Sequence, residues 1–142
     1  MGKIAVVYWS GTGNTEEMAG AVLDGICEGG KEGELYNVCE FSENDTEAFD
    51  AIAFGCPATG NEELEEDEFE PFFSKIEDKL CGKRIALFGS YGWGGGEWMR
   101  EWEARCKERG AVLAARSVIC NEAPDGGAID ECRKMGKALA QN

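Results

Sequence analysis

The sequence has no histidine among its 142 residues. That removes the commonest general base and metal ligand, and with it Ser-His and Cys-His nucleophile systems. Cations are scarce: 14 Lys and Arg stand against 28 Asp and Glu, a formal charge of −14. Nucleic acid and anionic membranes are excluded as partners, because both are held by Lys/Arg clusters, whereas basic proteins are the natural complement. The seven cysteines, at 27, 39, 56, 81, 106, 120 and 132, form no C-x-x-C pair, so neither zinc nor an iron–sulfur cluster is signalled. None has an Arg six residues on, which excludes the low-molecular-weight phosphatase arrangement. Free thiols, most of them inside apolar periodic segments, imply small hydrophobes in a reducing compartment; Cys56, just before Pro57, is the one to inspect. Long apolar runs are also missing. Ile4 to Tyr8 is too short for a signal-peptide apolar region, and Val6 stands where myristoylation of Gly2 requires Ser or Thr. The expectation is a soluble, cytoplasmic, monomeric chain forming a single domain over residues 1–142.

What is present is organised around Ser10-Gly11-Thr12-Gly13-Asn14-Thr15. This run follows the apolar strand Ile4–Tyr8 and precedes a helix marked by Met18, Val22 and Ile26. Strand, Gly-containing loop and helix start make an anion cradle, with backbone N–H groups at the positive end of the helix dipole. The loop holds no Lys or Arg, so hydroxyls, the Asn14 amide and N–H groups must carry the charge by hydrogen bonds alone. That suits a terminal phosphate monoester. A nucleoside triphosphate loop and the dinucleotide pattern G-x-G-x-x-G both fail, because Glu16 occupies the position of the last Gly in each.

Further along, Glu34–Val38 reads as an edge strand with polar members, and Ser42–Glu47 as a loop or a short helix. Ala51–Gly55 and Arg84–Gly89 are central strands. Between them, seven of the nine residues Glu62–Glu70 are acidic and lead into a helix with Phe69, Phe72, Phe73, Ile76 and Leu80 on one face. A helix bearing Trp98, Met99, Trp102 and Cys106 ends at Gly110. A last strand is split into Ala111–Ala115 and Val118–Cys120, and a helix with Ile129, Cys132 and Leu139 closes the chain. Alternating strands and helices with apolar central runs imply an α/β fold, a parallel sheet with helices on both faces, and ligands at the carboxyl ends of its strands.

Four segments leave those ends: Ser10–Thr15, Cys56–Glu62, Ser90–Glu97 and Cys120–Gly127. None contains a cation, and one offers Tyr91 and Trp93, flat partners for a planar heteroaromatic ring. A planar ring joined to a phosphate monoester is FMN. At Val7-Tyr8-Trp9-Ser10-Gly11-Thr12-Gly13-Asn14-Thr15-Glu16 and Leu87-Phe88-Gly89-Ser90-Tyr91-Gly92-Trp93-Gly94, with Glu63-Leu64-Glu65 and Glu70-Pro71-Phe72, the chain resembles the short-chain flavodoxins of anaerobic bacteria, the clostridial type, over nearly its whole length.

The resemblance implies a flavodoxin-like three-layer sandwich with a five-stranded parallel sheet of order 2-1-3-4-5. It also implies non-covalent FMN and low-potential one-electron transfer between semiquinone and hydroquinone, without substrate turnover. Carried over, it places the phosphate in Ser10, Gly11, Thr12, Gly13, Asn14 and Thr15. The ring would lie between the loop Thr59-Gly60-Asn61-Glu62 and Trp93, with Glu62 accepting from the ring N3–H and Pro57 and Ala58 also among the cofactor-binding residues. Ser90, Tyr91, Gly92 and Gly94, with Asn121 and Glu122, would complete the wall. The Gly60–Asn61 peptide would turn on reduction so that its carbonyl meets the flavin N5–H, a turn that glycine makes at little cost. Relatives commonly carry Met where Thr59 stands, and Cys120 and Ala123 also depart from the family pattern. The acidic run disfavours an anionic reduced flavin and steers basic-surfaced redox partners. Two other readings compete: an FMN-dependent quinone reductase, and a non-redox phosphate-binding domain of the same fold.

Overall fold

The computed structural model describes residues 3–60, 62–92 and 94–141. Strand β1 (Lys3–Tyr8) runs into α1 (Asn14–Glu28), and β2 (Glu32–Asn37) follows. Then come β3 (Ala51–Gly55), α2 (Phe69–Ile76), β4 (Arg84–Tyr91), α3 (Glu97–Glu108), β5 (Val112–Leu113), β6 (Val118–Asn121) and α4 (Gly126–Ala140). These strands pair in parallel, in the order β2-β1-β3-β4-β5, and β6 also pairs with β4. The split last strand is thus two short strands on one neighbour, Ile85 facing Leu113 and Phe88 facing Val118.

The pleat sorts side chains between two cores. Ala5, Val7, Ile52, Phe54, Ile85 and Leu87 face α2 and α3, where Phe69, Phe73, Trp98 and Trp102 fill the layer. Trp102 stands edge-on to Phe69 and Phe73, with centroids 5.4 and 5.7 Å away. Its buried Nε1 has no hydrogen-bond partner among the described residues. Ile4, Val6, Ala53, Ala86 and Phe88 face α1 and α4 through Met18, Val22, Met135 and Leu139. These two helices touch backbone to backbone: a Cβ on Gly25 would lie 2.0 Å from the Arg133 carbonyl oxygen, and one on Gly136 2.1 Å from that of Val22.

Three local expectations are refined. Ser42–Glu47 is the cap and first five residues of a tight two-turn helix over Glu43–Ala48, closed by reciprocal Ser42 and Asp45 bonds. Helix α2 ends at Ile76, and the chain reaches Leu80 through a further tight turn in which the Leu80 N–H bonds the Glu77 carbonyl. Of the cysteines, all free, Cys56, Cys106 and Cys132 are buried and Cys120 half-buried, but Cys27, Cys39 and Cys81 are exposed, because they sit on the outer faces of their segments. Strand β2 is an edge, with Leu35 39% exposed. Among the described residues no helix is long and apolar enough to cross a membrane.

Candidate functional site

The sheet order reverses between β1 and β3, and the segments leaving those two strands open the crevice where such sheets take ligands. In the first, the Ser10 hydroxyl accepts from the Gly13 N–H at 3.0 Å, folding the turn over the start of α1. Gly13 sits at φ +95° immediately before α1, and no side chain caps the helix. Its leading N–H groups are therefore left for an anion. Thr15 is 1% exposed, and its hydroxyl lies 3.2 Å from that of Ser90, itself buried. Thr15 turns toward the sheet on the same helical face as Met18 and Val22.

The second segment is pinned to β4. The Cys56 N–H bonds the Phe88 carbonyl (3.1 Å) and the Ala58 N–H that of Ser90 (3.0 Å). Thr59 and Glu63 then exchange both backbone bonds, 2.8 and 2.9 Å, to close a small hairpin. Gly60 is at φ +54° and Glu62 at φ +57°. A glutamate adopts that region only when something holds it: Glu62 Oε1 accepts from the Glu97 N–H at 3.0 Å, at the start of α3. Gly94, at φ +88°, leaves room for this, since a Cβ there would sit 2.3 Å from the Glu62 carboxyl carbon. Asn61 and Trp93 lie outside the described residues.

The third and fourth segments meet where the Glu122 N–H bonds the Tyr91 carbonyl at 2.7 Å, with Glu122 at φ +56°. Tyr91 packs against Trp98 at 5.6 Å, and the Trp98 indole N–H donates to the Cys56 carbonyl at 3.1 Å. Asp125 caps α4 through the Ala128 N–H.

These segments enclose a cavity of about 330 Å³. Gly11, Thr12 and Asn14 line its phosphate-turn side, Pro57, Ala58 and Thr59 the β3 side, and Ser90, Tyr91, Gly92 and Glu122 the β4 side. Ser10, Gly13 and Thr15 stand behind this wall, shaping the turn. Glu62 borders a smaller hollow beside α3, and Gly60 borders an acidic hollow beyond the hairpin. Asn121 ends β6 opposite Tyr91, next to Glu122 of the wall.

Sequence reasoning missed Trp9, which lines the cavity next to Gly11 and Thr12. An aromatic residue between the strand end and the Ser-Gly turn was the available signal. It also missed the work done by the acidic run. Glu65, 7% exposed, collects the N–H groups of Asp67, Glu68 and Phe69 at 2.7–2.9 Å and so starts α2. Glu68 accepts from the Trp9 indole at 2.7 Å and from the Cys39 thiol at 3.1 Å. Those two bonds, the thiol's first, hold its carboxyl below the usual range. The neighbouring thiols are all shifted toward the protonated form: burial drives Cys56 strongly upward and lifts Cys120 to about 11, while the Glu68 carboxylate raises Cys39.

The donor set is neutral, one helix start is uncapped, and an aromatic wall adjoins both, which fits a phosphorylated planar ring. The sequence model of the family described as Flavodoxin matches residues 6–136. The flavodoxin of Clostridium beijerinckii is 46% identical over 135 residues, covering 95% of this chain and 97% of the relative. That of Megasphaera elsdenii is 43% identical over 138 residues, 97% and 98% of the two chains. The solution structure of two-electron reduced Megasphaera elsdenii flavodoxin superposes with a TM-score of 0.90 over 98% of this chain and 99% of that one. The chain therefore belongs to the flavodoxin family, electron-transfer proteins that bind FMN.

Proposed function

We propose that the chain acts as a single domain over residues 1–142 that holds FMN non-covalently and carries electrons one at a time at low potential, without turning over a substrate. When bound, FMN supplies the reversible uptake of two electrons in separate steps. The observation that carries the reading is the uncapped start of α1 opening, with the Tyr91 wall, into one cation-free cavity of about 330 Å³.

The residues divide the work. The turn from Ser10 to Thr15 receives the phosphate, through the hydroxyls of Ser10 and Thr12, the Asn14 amide and the leading N–H groups. Thr15 contributes its backbone N–H, and its hydroxyl shares a bond with that of Ser90. Pro57, Ala58 and Thr59 face Tyr91 and Gly92 across the ring site, with Asn121 and Glu122 at its polar end. Gly60, already at positive φ, can present either face of its following peptide, so the chain supplies an acceptor for a proton at flavin N5 when there is one. Glu62 keeps one oxygen on α3 and has the other for the ring N3–H. Glu63, Glu65, Glu66 and Asp67, around the acidic hollow beyond the hairpin, would disfavour a negative charge on the cofactor ring, which would lower the second potential. The same acids draw basic-surfaced oxidoreductases to the hairpin, in the cytoplasm and with the chain as a monomer.

Anaerobic coulometric titration of the FMN-loaded chain tests the reading. Two well-separated one-electron midpoint potentials, the second far the more negative, are expected. A single two-electron wave, or steady NAD(P)H:quinone turnover by the purified protein, overturns it.

A further inference from the structure

Trp9 leaves β1 with its N–H on the Gly55 carbonyl at 3.0 Å, and its side chain then crosses the mouth of the crevice. The outer ring lies over Gly11: a Cβ built there would stand 3.1 Å from Cη2 and 3.4 Å from Cζ3. The indole borders the main cavity on one side and, on the other, an acidic hollow of about 430 Å³ shared with Thr59, Gly60, Glu63 and Glu65. It is a partition, half-buried, with contacts that are otherwise non-directional. Among the described residues its one directional restraint is the 2.7 Å bond from Nε1 to Glu68 Oε1.

Glu68 is itself fixed at both ends. Its N–H is held by Glu65 Oε1 at 2.7 Å, and its second oxygen accepts from the Cys39 thiol at 3.1 Å. A buried carboxylate therefore orders the backbone of an exposed one, and the exposed one orders an aromatic wall. We propose that Glu68 is a positioning residue: its carboxylate locks the Trp9 indole as the partition between cavity and acidic hollow and so preforms the cofactor site. The role in binding rests on the FMN reading; the lock on the indole does not. Preorganisation of this kind acts on affinity by sparing the cost of immobilising a large side chain on binding.

The competing view is that Glu68 acts only as one more negative charge, and two substitutions separate the two. Glu68→Gln removes the charge and keeps an oxygen that can accept from the indole; Glu68→Ala removes both. The measurements are FMN dissociation constants and the indole N–H resonance of Trp9 in the ¹⁵N-labelled apo chain, assigned by its disappearance in Trp9→Phe. Glu68→Ala is expected to shift that resonance and to weaken FMN binding roughly two- to tenfold. Glu68→Gln should hold affinity within about twofold, and Trp9→Phe combined with Glu68→Ala should lose no more than either alone. Equal effects of Gln and Ala, or an unmoved resonance in Glu68→Ala, overturn the proposal. Should Glu68→Ala fail to fold, Trp9→Phe decides the binding arm, with unchanged affinity counting against it, and the resonance in Glu68→Gln decides the other, with a shift to the position of a solvent-exposed indole counting against it. A wild-type chain that takes up no FMN sinks the flavin reading and leaves the apo resonances to judge the lock on Trp9.

Discussion

Gly94→Ala probes how the hairpin is tied to the third helix. Two costs add. At φ +88° an alanine is strained by about 1–2 kcal/mol. Its Cβ would also lie 2.3 Å from the Glu62 carboxyl carbon and 2.5 Å from both oxygens, so the glutamate must swing away and release the Glu97 N–H. Helix α3 has no cap of its own, and loss of a helix cap costs about 0.5–2 kcal/mol. The sum, about 1.5–4 kcal/mol, is a large share of the 5–15 kcal/mol typical of a domain. Urea unfolding of the apo chain, followed by far-ultraviolet circular dichroism, should show a lower midpoint at unchanged slope. Glu62→Ala alone should lose only the cap. The double variant should then fall short of additivity by about the cap value, because the same bond is lost only once. A Gly94→Ala chain within about 0.5 kcal/mol of wild type, or additive behaviour within that margin, refutes the idea that Glu62 occupies the space Gly94 leaves.

Other outcomes follow from packing and charge. Gly20, helical with nothing within 4 Å of an added Cβ, should gain about 1 kcal/mol on mutation to Ala. Gly136→Ala should lose stability, because its methyl would meet backbone atoms at 2.1 and 2.7 Å that cannot yield, and overpacking of about 1–3 kcal/mol outweighs the same helix gain; thermal melts of the two variants moving in the same direction would contradict the tight α1–α4 contact. Arg105 binds Glu70 with both terminal nitrogens, at 2.9 and 2.7 Å, and Glu77 at 2.8 Å. It holds both carboxyls below their usual range. The stability these acids contribute is therefore complete above the ordinary carboxylate range and is lost as pH falls through the depressed values. Arg105→Ala should cost about 1–3 kcal/mol at neutral pH, a gap that closes in acid; a gap independent of pH would show that lost packing on Phe73 dominates. Finally, a phosphate held without cations should bind with no loss on raising salt, so a steep fall in FMN affinity between low and high ionic strength in calorimetry would expose an unrecognised basic contact.

The sheet was legible because its central strands are apolar on both faces: Ile4–Tyr8, Ala51–Gly55 and Arg84–Gly89 carry that pattern, and the structure pairs them as neighbours. The phosphate turn was legible as a neutral nest. The direction of Thr15 was within reach as well, since Thr15, Met18 and Val22 recur at helical spacing and a hydroxyl on that stripe faces the core; reading the motif as a set of donors hid the periodicity. Positive φ at Glu62 and Glu122 was not legible, because nothing in a side chain's type announces that a distant helix or strand end will hold its backbone there.

The acidic run carries the hardest lesson. Glu62, Glu65 and Glu68 recur every third residue, and each has a defined partner: the start of α3, the start of α2 and the Trp9 indole. Glu63, Glu66 and Asp67, between them, are exposed. Composition sees seven like charges and reads one electrostatic field, yet three of them also fix the walls around the cavity. Removing any of those three by alanine changes field and geometry together. Only a substitution that keeps the acceptor oxygen, Gln for Glu, can attribute a shift in potential to charge, and the same change at Glu63 or Glu66 gives the pure electrostatic effect against which it must be judged.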